Sequence, residues 1–518
     1  AVFKKNNAVE LYYDNSKKLE TTSGGVTVTG DVSVGDSSKV KFGAGNDLQI
    51  YHNGTNSFIT DAGTGHLQID TNDFRVQNAA ANETILTGTE NGSVDLYFDN
   101  SRKLQTTTTG AKVTGALEVT QEYPSIRPTL NLNFAATKTL DHRITFRRGS
   151  IGTFTDELGI LRTATNNVPR FDHDGATGES LGLLIEESRT NLISTNILNW
   201  NASSGVILTD NAGTAPDGTN TAVKIIRGAP AAYQNANAAV VNITTGTPLI
   251  MSWYLKAVEV DSIYFQTNDG NWINGTFDIS GGGLQGSGGN LDGHGMYAVG
   301  NGWYRCWVKF DSASSSLTLT FHPGTSSPVS GDGSSGALIW GVQLEIGSYI
   351  TSYIPTDGNT VTRAQDTAKI TGTNFTDFYN QEEGTLVAHY YSTVDDGYLA
   401  QFENVTTPGD DRIGFVNYAG YQGFVETGNS TQASLDNGTP TVGAFNKVAF
   451  AFKANDFAVS LNSATPSTDT SGTMPTVGRM MIGSRFGGQY DILKSSIRHL
   501  SYYPKRLSNA QLQSLTQQ

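Results

Sequence analysis

At 518 residues and a formal net charge of -14, this chain is too long for a single core of ordinary size and opposes phosphate backbones and anionic membrane surfaces, which excludes nucleic acid as a partner. Hydrophobic residues supply 37%, charged residues only 16%, and Gly, Ser, Thr, Asn and Asp abound, a composition that favours short strands and turns: an all-β chain of about three or four units. An aromatic share of 10% argues against disorder, the single Cys306 allows no internal disulfide, and no run approaches the ~20 apolar residues needed to cross a bilayer, so no membrane insertion is expected.

Residues 1–121 are internally repetitive. VELYYDNSKKLETT from Val9 returns without a gap as VDLYFDNSRKLQTT from Val94, and each copy closes on an alternating run, Val32-Ser33-Val34 or Leu117-Glu118-Val119. Between them Leu48-Gln49-Ile50, Leu67-Gln68-Ile69 and Phe74-Arg75-Val76 also alternate, which predicts strands. Each strand offers two or three inward apolar side chains and one copy cannot enclose a core. Three chains wound about one axis would pair the open edges and bury the Val, Leu and Ile stripe, so the expectation is a trimeric β-shaft, with a single-chain β-solenoid as the alternative. The chain opens at Ala1 inside the repeat, and a preceding part is expected.

The segments LYYDNSKKLETT and LQIYHNGTNSFITDAGTG resemble the tandem repeats of tail-fibre, receptor-binding proteins from phages of marine and cyanobacterial hosts. That resemblance implies a homotrimer on the virion, joined to other tail proteins and assembled in the host cytoplasm, where the absence of disulfides is no handicap.

Residues 122–195 read as a connector, because Pro124 and Pro128 break the shaft pattern. PRFDHDGATGESLGLLIEESRTNLI, Pro169 to Ile193, resembles a recurring phage-fibre module. Gly178-Glu179-Ser180-Leu181-Gly182 fits a nucleophile elbow, but no alternation of strand and helix surrounds it, and Ser180 is read as structural. Asp172, His173 and Asp174 fit a hydrogen-bonded turn better than a metal site. Leu181, Leu183, Leu184 and Ile185 are expected in a buried strand, with Arg189 paired to Glu186 or Glu187.

Residues 196–370 carry strands of five to eight residues: Ala222 to Ile226, Leu249 to Lys256, Ser262 to Gln266, Trp303 to Phe310, Leu317 to Phe321 and Ala337 to Glu345. Their spacing predicts a two-sheet sandwich. NGWYRCWVKF from Asn301 and GVQLEIGSYITSYIPTDGNTVTRAQD from Gly341 resemble carbohydrate-binding-like jelly rolls of phage fibres, which implies glycan recognition. Sugars need flat aromatic faces and a few amides or carboxylates. Trp272, in an amide-rich turn, and Tyr297, after a Gly-rich loop, are the candidates; Trp253, Trp307 and Trp340 sit inside strands and are expected in the core. Gly281 to Gly286 matches G-x-G-x-x-G, yet no helix follows to hold a phosphate.

Residues 371–518 alternate strand and turn in an order that resembles concanavalin A-like, laminin-G-like sandwiches, closing on SIRHLSYYPKRLSNAQLQSL. Ser508 as N-cap, Gln511 reaching back and Leu507 against Leu512 predict a short helix. Tyr418, Tyr421 and Phe424 lie in a Gly-punctuated turn and Tyr490 follows Gly487-Gly488; glycan stacking and hairpin packing account for them equally well. Asp395-Asp396 and Asp410-Asp411 have the oxygen chemistry for Ca²⁺, although solvated turns explain them more simply, and no cofactor is expected. Paired carboxylates at E-x-D-x-E spacing are missing. The expectation is therefore a non-enzymatic adhesin for host surface polysaccharide or lipopolysaccharide, against a depolymerising tailspike or a ligand-free structural fibre.

Overall fold

The structure is a computed structural model that describes residues 2–3, 8–108, 110–115, 126–194, 197–203, 205–229, 235–241, 243–268, 270–280, 282–324, 330–393, 397–418, 421–488 and 492–518. Leu117 to Val119 lie outside them. The chain is nearly all β and divides into two compact units, Ala1–Thr120 and Gln121–Gln518.

The first unit holds three antiparallel sheets of four, three and five strands. The repeat seen in the sequence is a repeat in space. Strands Val9–Tyr13 and Ser16–Thr22 pair Leu11 with Leu19 and bulge after Leu11, while Val94–Phe98 and Ser101–Thr107 pair Leu96 with Leu104 and bulge after Leu96. Both hairpins turn through left-handed Asp-Asn pairs, Asp14-Asn15 and Asp99-Asn100, the backbone that a two-residue hairpin requires. In both, a threonine hydroxyl accepts from the first strand's valine: Val9 N to Thr21 Oγ1 and Val94 N to Thr106 Oγ1, each 2.9 Å. Pairing between sequence neighbours is antiparallel throughout, unlike the stacked coils of a solenoid.

Apolar side chains in this unit find no interior. Cross-strand partners line up as Val76, Leu86, Leu96, Leu104 and Val113 across the five-stranded sheet. Val40, Ile50 and Ile59 do so across the three-stranded one. Val76, Leu96 and Val113 are 38%, 40% and 39% exposed, and among the described residues of this unit no hydrophobic side chain is buried. Two of the expected strands do not form: Val32 to Val34 and Leu67 to Ile69 are exposed and have no backbone hydrogen bond from another described residue. Alternation alone makes no strand without an edge to pair with.

In the second unit, residues 192–360 lie between two paired strands, Arg189–Asn191 and Val361–Arg363. They contain a sandwich of two six-stranded antiparallel sheets. One, here the Tyr264 sheet, runs Asn201–Ser203, Asn235–Val241, Ser316–Pro323, Ser262–Asn268, Asn274–Asp278, Gly283–Gly288; the other, the Trp253 sheet, runs Ile207–Gly213, Ala222–Ile226, Gly336–Ile346, Pro248–Lys256, Trp303–Asp311, Leu291–Gly300. Trp253 is fully buried between them, with ring centroids 5.4, 5.2 and 5.1 Å from Phe265, Phe277 and Phe321.

A second sandwich closes the chain, and residues read as a connector are woven into it. Leu130–Asn133 and Ser180–Ile185 both pair with Ser495–Tyr503, and Thr145–Arg147 pairs with Thr367–Thr371. Leu183 and Ile185 join its core beside Leu386, Phe402 and Phe450. The final helix, Asn509–Leu515, has its capping box, Ser508 N to Gln511 Oε1 at 2.9 Å and Gln511 N to Ser508 Oγ at 3.3 Å. Leu507 and Leu512 pack together beneath it.

A buried charge network joins these pieces. Arg170 Nη2 lies 2.5 Å from Asp366 Oδ2 and its Nη1 2.6 Å from Glu186 Oε2, and Arg148 Nη1 lies 3.1 Å from Asp366 Oδ1. Ser352 N donates to Glu186 Oε1 at 2.7 Å. Burial alone would raise the Glu186 carboxyl, but Arg363 and Arg170 hold it down at about 2. Arg189 pairs with Glu187, at 2.6 Å. Asp172 is different: burial pushes its carboxyl up to about 6, against the backbone amides of Thr155, 2.7 Å away, and His173. An acid whose folded pKa exceeds its unfolded value, about 3.9, contributes stability at low pH that is lost as pH rises through roughly 4 to 6. Asp172→Asn keeps an acceptor for Thr155 and removes the titration, so it is expected to raise the melting temperature over wild type at pH 7 and to lose most of that advantage at pH 4. Equal differences at both pH values would contradict the assignment.

Candidate functional site

The turn between Ser262–Asn268 and Asn274–Asp278 holds Trp272 at φ 50°, a left-handed conformation that is costly for a bulky residue. Its indole is 53% exposed. The turn is fixed by Thr267 N bonding Ile273 O at 2.7 Å and by Asn274 Nδ2 donating to Trp272 O at 2.6 Å. Beside it opens a cleft of about 520 Å³, lined by Asn271, Gly289, Asn290, Leu291, Asp292 and Asp311. An exposed indole at the rim of a polar cleft of this size, with amides and carboxylates inside, is the combination that holds a sugar ring by stacking and hydrogen bonds.

Strand register extends this polar surface over the outer face of the Tyr264 sheet. Asn237 is opposite Thr320, Thr320 opposite Gln266, and Gln266 opposite Asn274, next to the Trp272 turn. In the neighbouring row Tyr264 lies opposite both His322 and Thr276, its ring 5.1 Å from the imidazole. Tyr264, Gln266 and Thr276 are half-buried, so they are held in place yet reachable. These residues are missing from the candidates read in the sequence, although alternation in Ser262–Asn268, with Ile263, Phe265 and Thr267 buried, marks Tyr264 and Gln266 as outward.

The other candidates fare differently. Tyr297 is 43% exposed on Leu291–Gly300, while its hydroxyl bonds Arg305, its partner across the strands; burial raises the phenol above its usual range even though Arg305 acts the other way. Trp253 and Trp340 are buried, as expected, but Trp307 is not a core residue: it points outward and is half-buried. Its companions at alternate positions, Arg305 and Lys309, face the same way, whereas Cys306, Val308 and Phe310 fill the core.

Phe424 is a correction. It is 6% exposed, packed on Tyr398 and Val416. Across the strand lies Gly414, where a Cβ would stand 1.8 Å from its ring, and the Arg412 guanidinium sits 4.8 Å from its centroid. Arg412 is in turn 5.0 Å from Phe486, whose loop is anchored by Phe486 N and Gly487 N donating to Glu403 at 2.9 Å. Phe424 therefore offers no face to a ligand. Tyr418 and Tyr421 pair across the end of their hairpin, but their side chains, like all of Tyr490, lie outside the described residues.

Asp395 and Asp396 also lie outside them. Asp411 secures its own turn, accepting from Gly428 N at 3.0 Å and Thr407 Oγ1 at 3.2 Å, and among the described residues no three His, Cys, Asp or Glu side chains gather to hold a metal. Asp174 likewise caps a turn, accepting from Ala176 N and Thr177 N at 2.9 and 2.8 Å. Ser180 sits in an antiparallel strand rather than on a strand-to-helix elbow.

No family model matches this sequence, and no curated protein does either. Among solved structures, the CBM40 of Ruminococcus gnavus IT-sialidase bound to α2,3-sialyllactose is 20% identical, covering 26% of this chain and 84% of that one at a TM-score of 0.23. Domain 4 of AbnA, a GH43 extracellular arabinanase from Geobacillus stearothermophilus in complex with arabinotriose, is 13% identical, with 33% and 82% covered and a TM-score of 0.23. Domains LG4-5 of the mouse laminin α1 chain are 9% identical, with 58% and 88% covered and a TM-score of 0.18. Likenesses this faint carry no inference, and the two-sandwich architecture rests on the strand pairing of this chain itself.

Proposed function

We propose that this chain is the receptor-binding fibre of a bacterial virus, acting as a homotrimer that attaches the virion to host surface glycans without cleaving them. The observation that carries the reading is the first unit: its cross-strand stripes of Val, Leu and Ile are complete, regular and without an interior in one chain. Apolar surface of that kind is stable when sister copies cover it. The fibre takes its place beside other tail proteins after assembly in the host cytoplasm, and it needs no cofactor. Contact with glycan falls to the Trp272 cleft and the adjoining face of the Tyr264 sheet. Three copies held together raise the effective concentration of each weak site, so firm attachment follows from modest single contacts.

Trp272→Ala tests the contact. Its indole is exposed and supports no core, so folding is expected to be unchanged, while affinity for a glycan retained by wild type on an array falls about tenfold, the loss of roughly 1.4 kcal/mol of stacking. Unchanged retention would remove the cleft from the account, and new reducing ends in the incubated polysaccharide would replace adhesion with cleavage.

A further inference from the structure

Leu291–Gly300 is the edge strand of the Trp253 sheet and pairs with Trp303–Asp311. On its outward face Gly293, Gly295 and Tyr297 alternate, opposite Lys309, Trp307 and Arg305. A Cβ on Gly295 would stand 2.6 Å from Trp307 Nε1 and 2.7 Å from Cε2, and one on Gly293 would stand 3.6 Å from Cζ3. The Trp307 indole thus lies flat across two bare glycines, and because it is only half-buried its other side meets solvent. Glycine weakens a strand, and its use at two successive outward positions marks a place where something approaches the backbone closely. Tyr297 continues the surface about 7 Å further along the strand. On the other side Lys309 is also half-buried, and its ammonium has neither an ion-pair nor a hydrogen-bond partner among the described residues, in a chain with 48 acidic against 34 basic residues.

We propose that Trp307 and Tyr297 form a stacking platform for a saccharide whose carboxylate pairs with Lys309, a hexuronate-type sugar. The flat indole takes the C–H face of the ring, and the ammonium selects acidic over neutral sugars. The platform is separate from the Trp272 cleft: none of Trp307, Tyr297 and Lys309 is among the residues that line that cleft. It extends the adhesive reading to a second site and a ligand class, and it does not require the fibre to be viral.

The test is calorimetric titration of the full chain with a hexuronate oligosaccharide and with its neutral hexose counterpart, for wild type, Trp307→Phe, Trp307→Ala, Lys309→Ala, Gly295→Ala and Trp272→Ala. The hexuronate is expected to bind more tightly than the neutral sugar. Trp307→Ala should weaken it about tenfold and Trp307→Phe less, Gly295→Ala should weaken it by displacing the indole, and Lys309→Ala should erase the preference without altering the melting curve. Trp272→Ala should leave hexuronate binding intact. If wild type ignores the hexuronate, or binds it equally well after Trp307→Phe and Lys309→Ala, the indole merely covers the glycines and the platform is refuted; a loss seen only with Trp272→Ala would refute it while sparing the cleft.

Discussion

Asp366→Ala is expected to destabilise the 121–518 unit by about 3–5 kcal/mol, because it leaves two buried guanidinium groups without the carboxylate they share. Asp366 and Arg170 are fully buried, and Arg148 nearly so. The carboxylate satisfies both arginines and also accepts from Glu186 N at 2.9 Å, so one deletion leaves three donors short. Over a unit of this size the loss corresponds to a melting midpoint lower by roughly 5 °C. Asp73→Ala provides the contrast: Asp73 pairs with Arg75 at 3.1 Å with both side chains about half exposed, and such pairs contribute about 0–1 kcal/mol. A thermal melt placing Asp366→Ala within 1 kcal/mol of wild type would show that the network does not hold the sandwiches to the strands between them.

Leu96→Asp carries the second large effect. In a single chain Leu96 is 40% exposed, and a charge there would cost well under 1 kcal/mol. Covered by sister chains, the same carboxylate would be buried without a partner in every copy, at several kcal/mol each. The variant is therefore expected to lose assembly at micromolar concentration while the 121–518 unit melts as in wild type. An assembly that survives Leu96→Asp would mean that the stripe through Val76, Leu86, Leu96, Leu104 and Val113 faces water in the native protein.

What the sequence makes legible is local. Ala222–Ile226 forms with the bounds read from its residues, the five other strands read in the first sandwich extend by one to three residues while six more go unread, and the helix cap depends on a four-residue pattern. The hairpin repeat is equally plain, since turn and bulge recur with the letters that encode them. What stays hidden is non-local. Leu130–Asn133 finds its partner more than 350 residues away, and nothing in LNLN names Ser495–Tyr503. Nothing beside Arg148 or Arg170 in the chain marks them as buried, because their partner Asp366 is about 200 residues away.

The site divides along the same line. The exposure of Trp272 and Tyr297 is legible because turns and edge strands expose what they carry. Phe424 is misread because the side chains that cover it, Tyr398, Val416 and Arg412, come from neighbouring strands earlier in the chain. Trp307 is misread for a different reason: being large and in a strand suggests the core, yet alternation with Arg305 and Lys309 places it outside. For Val32 to Val34 and Leu67 to Ile69, alternation predicts strands and one chain does not supply the edges they need.

Sedimentation equilibrium of the purified chain at micromolar concentration bears most directly on whether sister copies complete the first unit. Three times the mass of one chain is the predicted result. A species with the mass of a single chain, its Val, Leu and Ile stripes left in water, would contradict the account and with it the assignment to a viral fibre.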